Sequence, residues 1–222
     1  MTLPKEGLFT ENNLIDPNRV IVYLTDRLFA VDKISSEELI KILKKMLPAK
    51  TKVKVTYKRS RVAKDCFGIN GYFDSDDVKD IELQICCSSF KKKFPITQDL
   101  KQQLIYDIAD TLCHETIHRR QFFLRGTCVD IDETGDHQRD YYLDPDEMFA
   151  YSVNIAHNFH RKYGTDAVKH LCDVNSAVKD DCYLADYYYW FYNDYPFRRL
   201  MKLIAQNLEA INQGKVCHRS LI

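Results

Sequence analysis

The hydrophobic positions of this chain switch between helical spacing and two-residue alternation, which predicts a protein built from helices and short strands. After Ser35, a typical helix-capping residue, hydrophobic side chains recur with helical period until Pro48, so we predict a helix between these residues. Residues 20–24 are a β-branched run that we interpret as a strand, with a helix over 24–31 as the alternative.

Three later segments have the pattern of strands. Residues 52–58 alternate Lys and Thr with larger hydrophobic side chains, and residues 81–87 alternate in the same way. We predict a further strand over 66–73, followed by an acidic turn over 74–77. One helix followed by three strands indicates a small sheet.

Two long helices are predicted in the middle of the chain. The first covers about 97–125, with Thr97 as its N-cap and Gly126 where a C-cap would lie. The second covers about 145–163 and begins after Asp144 with a proline in its first turn. Between them, residues 127–143 have no clear period, and we interpret them as a loop.

The residues after 163 have a helical pattern with breaks near 164, 180 and 196. We therefore expect an α+β core over residues 1–162 and a helical C-terminal extension over 163–222, packed together as one domain. A chain of 222 residues with 45% hydrophobic content is long enough to bury a real core.

The most informative local pattern is the pentapeptide His114-Glu115-Thr116-Ile117-His118, an H-E-x-x-H sequence inside the first long helix. Residues four apart project from one face of a helix, so both imidazoles can reach one metal ion. Glu115 then lies where a carboxylate can take a proton from a metal-bound water. The alternative interpretation is a polar helix face near solvent. We favour a zinc site, with Glu115 as the catalytic base.

A catalytic zinc ion takes three protein ligands, so a third ligand is needed. Glu147, in the first turn of the next helix, is the leading candidate, ahead of Asp130, His137 and Asp146. Glu147 also has an alternative role, because Asp144-x-x-Glu147 matches a capping box, in which the glutamate bonds to the backbone instead of a metal.

With these motifs the chain resembles the zincins, and more narrowly the gluzincin-like metallopeptidases. The resemblance depends on the H-E-x-x-H sequence and on Pro145-x-Glu147-x-x-Ala150-Tyr151, a helix pattern similar to that of small predicted peptidases of bacteria and phages. It covers about residues 81–162. It implies a zincin-like α+β fold with a small sheet, an H-E-x-x-H helix, a Glu-bearing second helix and a helical C-terminal portion.

The resemblance also implies the roles of individual residues. His114, His118 and Glu147 would bind Zn²⁺, Glu115 would be the general base, and strand 81–87 would be the edge strand along which a peptide substrate pairs. The oxyanion-stabilising or supporting group is open. We favour Tyr151, Tyr142 and His137 for this role, and Tyr141 and Arg139 are further candidates.

These features predict a zinc-dependent peptidase that hydrolyses peptide bonds in a peptide or protein substrate. Two alternatives are a non-catalytic zincin-fold protein that serves as a scaffold, a partner-binding module or a viral assembly component, and a zinc hydrolase of a non-peptide amide. Retention of Glu115 favours an enzyme, because a structural zinc site needs the histidines but not that carboxylate.

Composition and charge limit the partners and the location. The 32 basic and 32 acidic residues balance, so no global charge favours nucleic acid or a membrane, and the seven basic residues of Lys50–Lys64 are expected to be a solvated strand face. The aromatic segment 183–197 is either part of the core or an anchor for a protein partner.

The chain has no signal-peptide pattern and no apolar run long enough to span a membrane. Its eight cysteines, including the adjacent Cys86 and Cys87, fit reduced core thiols better than a disulfide framework. We expect a cytoplasmic, non-secreted protein without membrane contact, or a virion-associated one if the source is viral.

Overall fold

Helices and short strands alternate in the first half of the chain, and the described part of the second half is helical. The structure is a computed structural model that describes residues 8, 14–47, 51–60, 67–73, 80–126, 137–192 and 194–215. Packing groups the chain into two compact units, residues 1–124 and 125–222. The mixed α+β class predicted from the sequence is confirmed.

The first unit contains three helices and five strands among its described residues. In chain order these are α1 (Pro17–Leu28), β1 (Lys33–Ile34), α2 (Ser36–Met46), β2 (Val53–Arg59), β3 (Gly68–Phe73), β4 (Ile81–Cys87), β5 (Phe94–Pro95) and α3 (Gln98–Arg125). Helix α2 and strands β2, β3 and β4 lie where the sequence predicts them, and α3 ends before Gly126, whose φ of 77° fits a C-cap.

The predicted strand over residues 20–24 is wrong, because this run lies inside helix α1. The side chain of Asp16 caps the helix by accepting a hydrogen bond from the backbone N–H of Asn18 at 2.9 Å, and a proline occupies the first turn. Val20, Tyr23, Leu24 and Leu28 are buried at helical spacing. This burial outweighs the strand preference of the β-branched residues.

Three strands form a mixed sheet in the order β2–β4–β3. Strand β2 runs parallel to β4, and β3 runs antiparallel to β4 on its other side, with Gly71 opposite Leu83. The expectation that residues 81–87 form an edge strand is therefore wrong. Strand β4 is central, and the complete burial of Ile81, Leu83 and Ile85 explains its pattern. Within the described residues, β3 has a strand on one side only.

Helix α3 contributes its N-terminal half to the core of the first unit. Leu104, Ile105, Ile108 and Leu112 pack there with hydrophobic residues of α1, α2 and the three-stranded sheet. Lys101 is also buried in this half, and its ammonium group donates to the carbonyl oxygen of Phe29 at 3.1 Å, which offsets the cost of burying the charge.

The second unit is helical throughout its described residues. Its helices are α4 (His137–Leu143), α5 (Pro145–Tyr163), α6 (Ala167–Leu171), α7 (Val174–Asp180), α8 (Cys182–Phe191) and α9 (Tyr195–Asn212), with a 3₁₀ turn at Gly164–Asp166. The predicted helix over 145–163 and the later breaks are confirmed. The loop predicted over 127–143 is wrong for its last seven residues, which form α4, and its first part lies outside the described residues.

Helices α5 and α9 pack closely together and form the centre of the second unit. A buried hydrogen bond of 2.9 Å joins them, from the side-chain amide of Asn207 to the hydroxyl of Ser152. Around it, hydrophobic side chains of α5, α8 and α9 form a continuous core that includes the fully buried Tyr187. The domain boundary predicted after residue 162 stays a prediction.

No helix in the described part of the chain is both long and apolar enough to cross a membrane.

The capping box of α2 allows a test of the first unit. The hydroxyl of Ser35 accepts from the backbone N–H of Glu38 at 3.2 Å, and the Glu38 carboxylate accepts from the backbone N–H of Ser35 at 3.0 Å. We expect Ser35→Ala to lower the free energy of unfolding by about 1 kcal/mol, measured by urea denaturation, because an N-terminal donor loses its acceptor.

The matched control is Ser35→Gly, which lowers stability by only a few tenths of a kcal/mol, roughly, because glycine is itself accepted at N-caps. Equal losses in the two variants would contradict the capping role of the hydroxyl.

Candidate metal centre

The N-terminal half of α3 buries mainly hydrophobic side chains, whereas its C-terminal half also buries polar ones. His114 is 8% exposed and Glu115 is 9% exposed. The alternative interpretation of the two histidines as a helix face near solvent is therefore wrong for His114, whereas His118 is half-buried. Buried polar groups are costly unless they have partners, so their contacts identify the role of this segment.

The two histidines direct the same ring nitrogen toward each other. Nε2 of His118 is 2.9 Å from Nε2 of His114, and the ring centroids are 4.6 Å apart. Two imidazoles that share a tetrahedral zinc ion, with bonds of about 2.0–2.1 Å, have nitrogen atoms about 3.3 Å apart. The separation is thus close to that of a chelating pair.

Gln121 supports His118 from the next turn of the helix. Its side-chain oxygen is 3.1 Å from Nδ1 of His118, and the Gln121 side chain is buried. An amide oxygen is an acceptor, so this contact favours the tautomer of His118 that carries its proton on Nδ1. That tautomer leaves the lone pair of Nε2 for a metal ion.

The third predicted ligand lies with the two histidines. The metal-ligating atoms of His114, His118 and Glu147 all lie within 4.8 Å of one another, so these side chains form a group that could hold a metal ion. Their proximity, predicted from the sequence, is confirmed. Two imidazoles and a carboxylate form a ligand set that is typical of catalytic zinc.

The start of helix α5 does not need Glu147 to complete its cap. The Asp144 carboxylate accepts from the backbone N–H of Asp146 at 2.7 Å. The backbone N–H of Asp144, to which the glutamate of a capping box would bond, donates to the carbonyl oxygens of Asp140 and Tyr141. Burial raises the pKa of Asp144, and the hydrogen bond from Asp146 opposes that rise.

Two tyrosine hydroxyls accompany Glu147. The Tyr141 hydroxyl donates to Oε2 of Glu147 at 2.7 Å, and it lies 3.2 Å from the hydroxyl of Tyr151. Burial raises the pKa of Tyr141 well above its usual range, and the negative charge of Glu147 adds to the effect. Both causes keep the Tyr141 phenol protonated and able to donate.

The other predicted supporting residues are less closely tied to Glu147. The Tyr142 hydroxyl donates to Asp186 at 2.9 Å, and burial raises the pKa of Tyr142. The backbone of His137 begins α4, but its side chain lies outside the described part, as does the whole of Asp130. Asp146 forms an ion pair with Arg125.

Glu115 lies against strand β3 at a point of very close packing. A Cβ atom added to Gly71 would be 2.6 Å from both Cγ and Oε1 of Glu115, and 2.5 Å from Cγ2 of Thr111. Only glycine allows the strand and the helix to approach this closely. The same strand face contacts α3 again at Phe73, whose ring centroid is 5.7 Å from that of Phe122.

Sequence reasoning missed the contributions of Gln121, Tyr141 and Gly71. The contact of Gln121 with His118 could be predicted from the sequence, because residues three apart lie on the same face of a helix. The sequence suggests Tyr141 only as a candidate oxyanion-stabilising group, because its contact with Glu147 depends on the short turn between α4 and α5. The sequence around Gly71 does not indicate its role, because its neighbours on helix α3, Thr111 and Glu115, lie far along the chain.

The basic run and the aromatic segment have contacts of their own. Lys52 lies 3.9 Å from Asp80, and Lys54 lies 4.0 Å from Glu82, so two of the basic residues have acidic neighbours. In the aromatic segment, a core group and an exposed group are mixed. Its buried members are Tyr187, Phe191 and Phe197, and its most exposed members are Tyr189, Tyr192 and Tyr195. A partner that binds the exposed group stays a prediction.

Comparisons of the chain with known protein families, with curated proteins and with solved structures find no match. The functional argument therefore depends on the geometry of the site.

The contact at Gly71 allows a test of the site. We expect Gly71→Ala to lower the free energy of unfolding by about 1–3 kcal/mol, because the added methyl group overlaps Thr111 and Glu115. Urea denaturation measures the change. Adding Thr111→Ser removes Cγ2 and should restore part of the loss, whereas additive effects of the two substitutions would argue against direct contact.

Proposed function

We propose that the protein is a zinc-dependent peptidase with a zincin-like fold. The observation that carries this proposal is the proximity of the ligating atoms of His114, His118 and Glu147, all within 4.8 Å. Glu115, the residue that follows the first histidine, supplies the base that this chemistry requires.

The residues provide donor atoms that suit a zinc ion, and a hydrogen bond favours the protonation state that one of these ligands needs. Two imidazole nitrogens and one carboxylate oxygen leave a coordination position for water or substrate. The contact between Gln121 and His118 favours the tautomer that such a ligand needs. Zinc bound here would polarise the scissile carbonyl and lower the pKa of a coordinated water.

Glu115 is the proton-transfer group of the proposed mechanism. Its carboxylate accepts a proton from the attacking water and then transfers that proton to the leaving amine. Its burial limits competing hydration of the carboxylate, and its close contact with β3 restricts its side chain. A carboxylate held in this way keeps one orientation through both proton transfers.

Strand β3 is the segment that we propose for peptide binding, in place of β4. It pairs only with β4 among the described strands, and it passes beside Glu115. An extended peptide that pairs with the other side of β3 would gain backbone hydrogen bonds and would bring its chain near the catalytic base. Tyr72 lies on the opposite face of β3 from Gly71 and Phe73, and it is 48% exposed, so this face of the strand is accessible at Tyr72.

Two substitutions distinguish the proposed role of Glu115 as general base from the proposed role of Glu147 as metal ligand. We expect Glu115→Gln to keep its zinc but lose about 10²–10⁴-fold in kcat/KM, because a general base is removed while the metal ligands remain. We expect Glu147→Ala to bind zinc much more weakly. Bound metal is measured by elemental analysis after dialysis, and activity is measured on a mixture of internally quenched peptides.

Asp146→Ala is the matched control for Glu147→Ala, because it removes the neighbouring carboxylate, which pairs with Arg125. It should keep its zinc. Full zinc occupancy in Glu147→Ala would exclude Glu147 as a ligand, and undiminished peptide cleavage by Glu115→Gln would exclude the proposed mechanism.

The role of β3 can be tested with modified substrates. Once a cleaved peptide is found, methylation of single backbone nitrogens should raise KM at alternate positions, because only every second N–H of a strand faces the neighbouring strand. An effect that does not alternate, or no effect at any position, would count against pairing with β3.

A further inference from the structure

Tyr141 holds the carboxylate that completes the proposed metal site. Its hydroxyl donates to Oε2 of Glu147 at 2.7 Å. We propose that Tyr141 is a positioning residue, which fixes Glu147 in the orientation that binds the metal and thereby sets the metal affinity. This inference rests on the proposed function, since it assigns a role toward the same metal.

The backbone between Tyr141 and Glu147 is held by several hydrogen bonds. Helices α4 and α5 are separated by Asp144 alone. The N–H of Asp144 donates to the carbonyl oxygens of Asp140, at 3.2 Å, and of Tyr141, at 3.3 Å. The Asp144 carboxylate caps α5. These hydrogen bonds stabilise the turn that brings the phenol of Tyr141 to the carboxylate of Glu147.

Tyr151 extends the contact into a chain of hydroxyl groups. It lies one helical turn after Glu147, and its hydroxyl is 3.2 Å from that of Tyr141. A phenol has one proton, and an ionised carboxylate only accepts, so the proton of Tyr141 points to Glu147 and Tyr151 donates to the oxygen of Tyr141. The ring of Tyr151 is held by Tyr183, with centroids 4.7 Å apart.

The hydrogen bond leaves Glu147 able to bind a metal. A carboxylate has two oxygen atoms, and the contact with Tyr141 occupies one lone pair of Oε2. Hydrogen bonds to ligating carboxylates orient them, and loss of such a partner costs about 10–100-fold in metal affinity. The hydroxyl end of Tyr141 is shielded from water, but 42% of the surface of the whole residue is exposed, so removal of the hydroxyl alone should disturb the fold little.

The test compares the zinc affinities of wild type, Tyr141→Phe and Tyr142→Phe by competition with a chromophoric chelator. Tyr142 is the matched control, because it is the next residue of α4 and its hydroxyl donates to Asp186 and not to Glu147. We expect Tyr141→Phe to bind Zn²⁺ about 10–100-fold more weakly than wild type. Tyr142→Phe should bind it as wild type does.

A second comparison separates positioning from a general structural effect. In a Glu147→Ala background, Tyr141→Phe should change the zinc affinity no further, because the hydroxyl acts through that carboxylate. Unfolding of metal-free Tyr141→Phe by urea, in the presence of a chelator, should follow that of wild type. A further loss of affinity in the Glu147→Ala background would overturn the inference.

The outcomes distinguish this inference from the proposed function. If wild type binds no zinc, the proposed function itself fails. If wild type binds zinc and Tyr141→Phe binds it equally well, the proposed function stands and the positioning role is overturned. Unchanged zinc affinity with reduced peptide cleavage would overturn it too, and would indicate that the Tyr141 hydroxyl acts on the substrate.

Discussion

The cost of burying polar groups on helix α3 governs the arrangement of the candidate site. The helix begins with side chains that form a hydrophobic core and continues with His114, Glu115 and Thr116, all of them buried. Thr116 accepts from the backbone N–H of Ile15 and donates to the carbonyl oxygen of Cys113. The histidines contact each other through Nε2. Two neutral imidazole nitrogens at this distance can share one hydrogen bond, and a metal ion could replace that proton as their common partner.

The same requirement applies to Glu147, and it explains why the turn before α5 matters. A carboxylate that binds metal through one oxygen still has lone pairs on the other to satisfy. The short helix α4 places a tyrosine hydroxyl at Oε2 of Glu147, while Asp144 caps the following helix. The sequence pattern offers capping and ligation as alternatives for one glutamate, but Asp144 supplies the cap, so Glu147 remains available for the proposed ligation.

Local signals predicted the parts of the fold that local interactions determine. Helix α2 has a capping box, α5 has an aspartate cap with a proline in its first turn, and the alternation of residues 81–87 marks β4, so the predictions for these elements are confirmed. The H-E-x-x-H spacing likewise predicted the proximity of its histidines. The order of the strands and the contact of Gly71 with Glu115 depend on residues distant in sequence, and no local pattern encodes them. The helical state of residues 20–24 has local signals, the Asp16 cap and a proline in the first turn, but the β-branched run favours a strand when it is considered alone.

The contact between β3 and α3 bears on the choice between an enzyme and a scaffold. A site that only holds zinc needs its three ligands, and nothing in that role requires a buried carboxylate beside the first histidine. Burying a carboxylate costs free energy unless its surroundings compensate. Here the chain keeps Glu115 at 9% exposure and has Gly71 at a position where a side chain would overlap it. A carboxylate that is retained at this cost favours the peptidase proposal, in which Glu115 has a role, over a purely structural metal site.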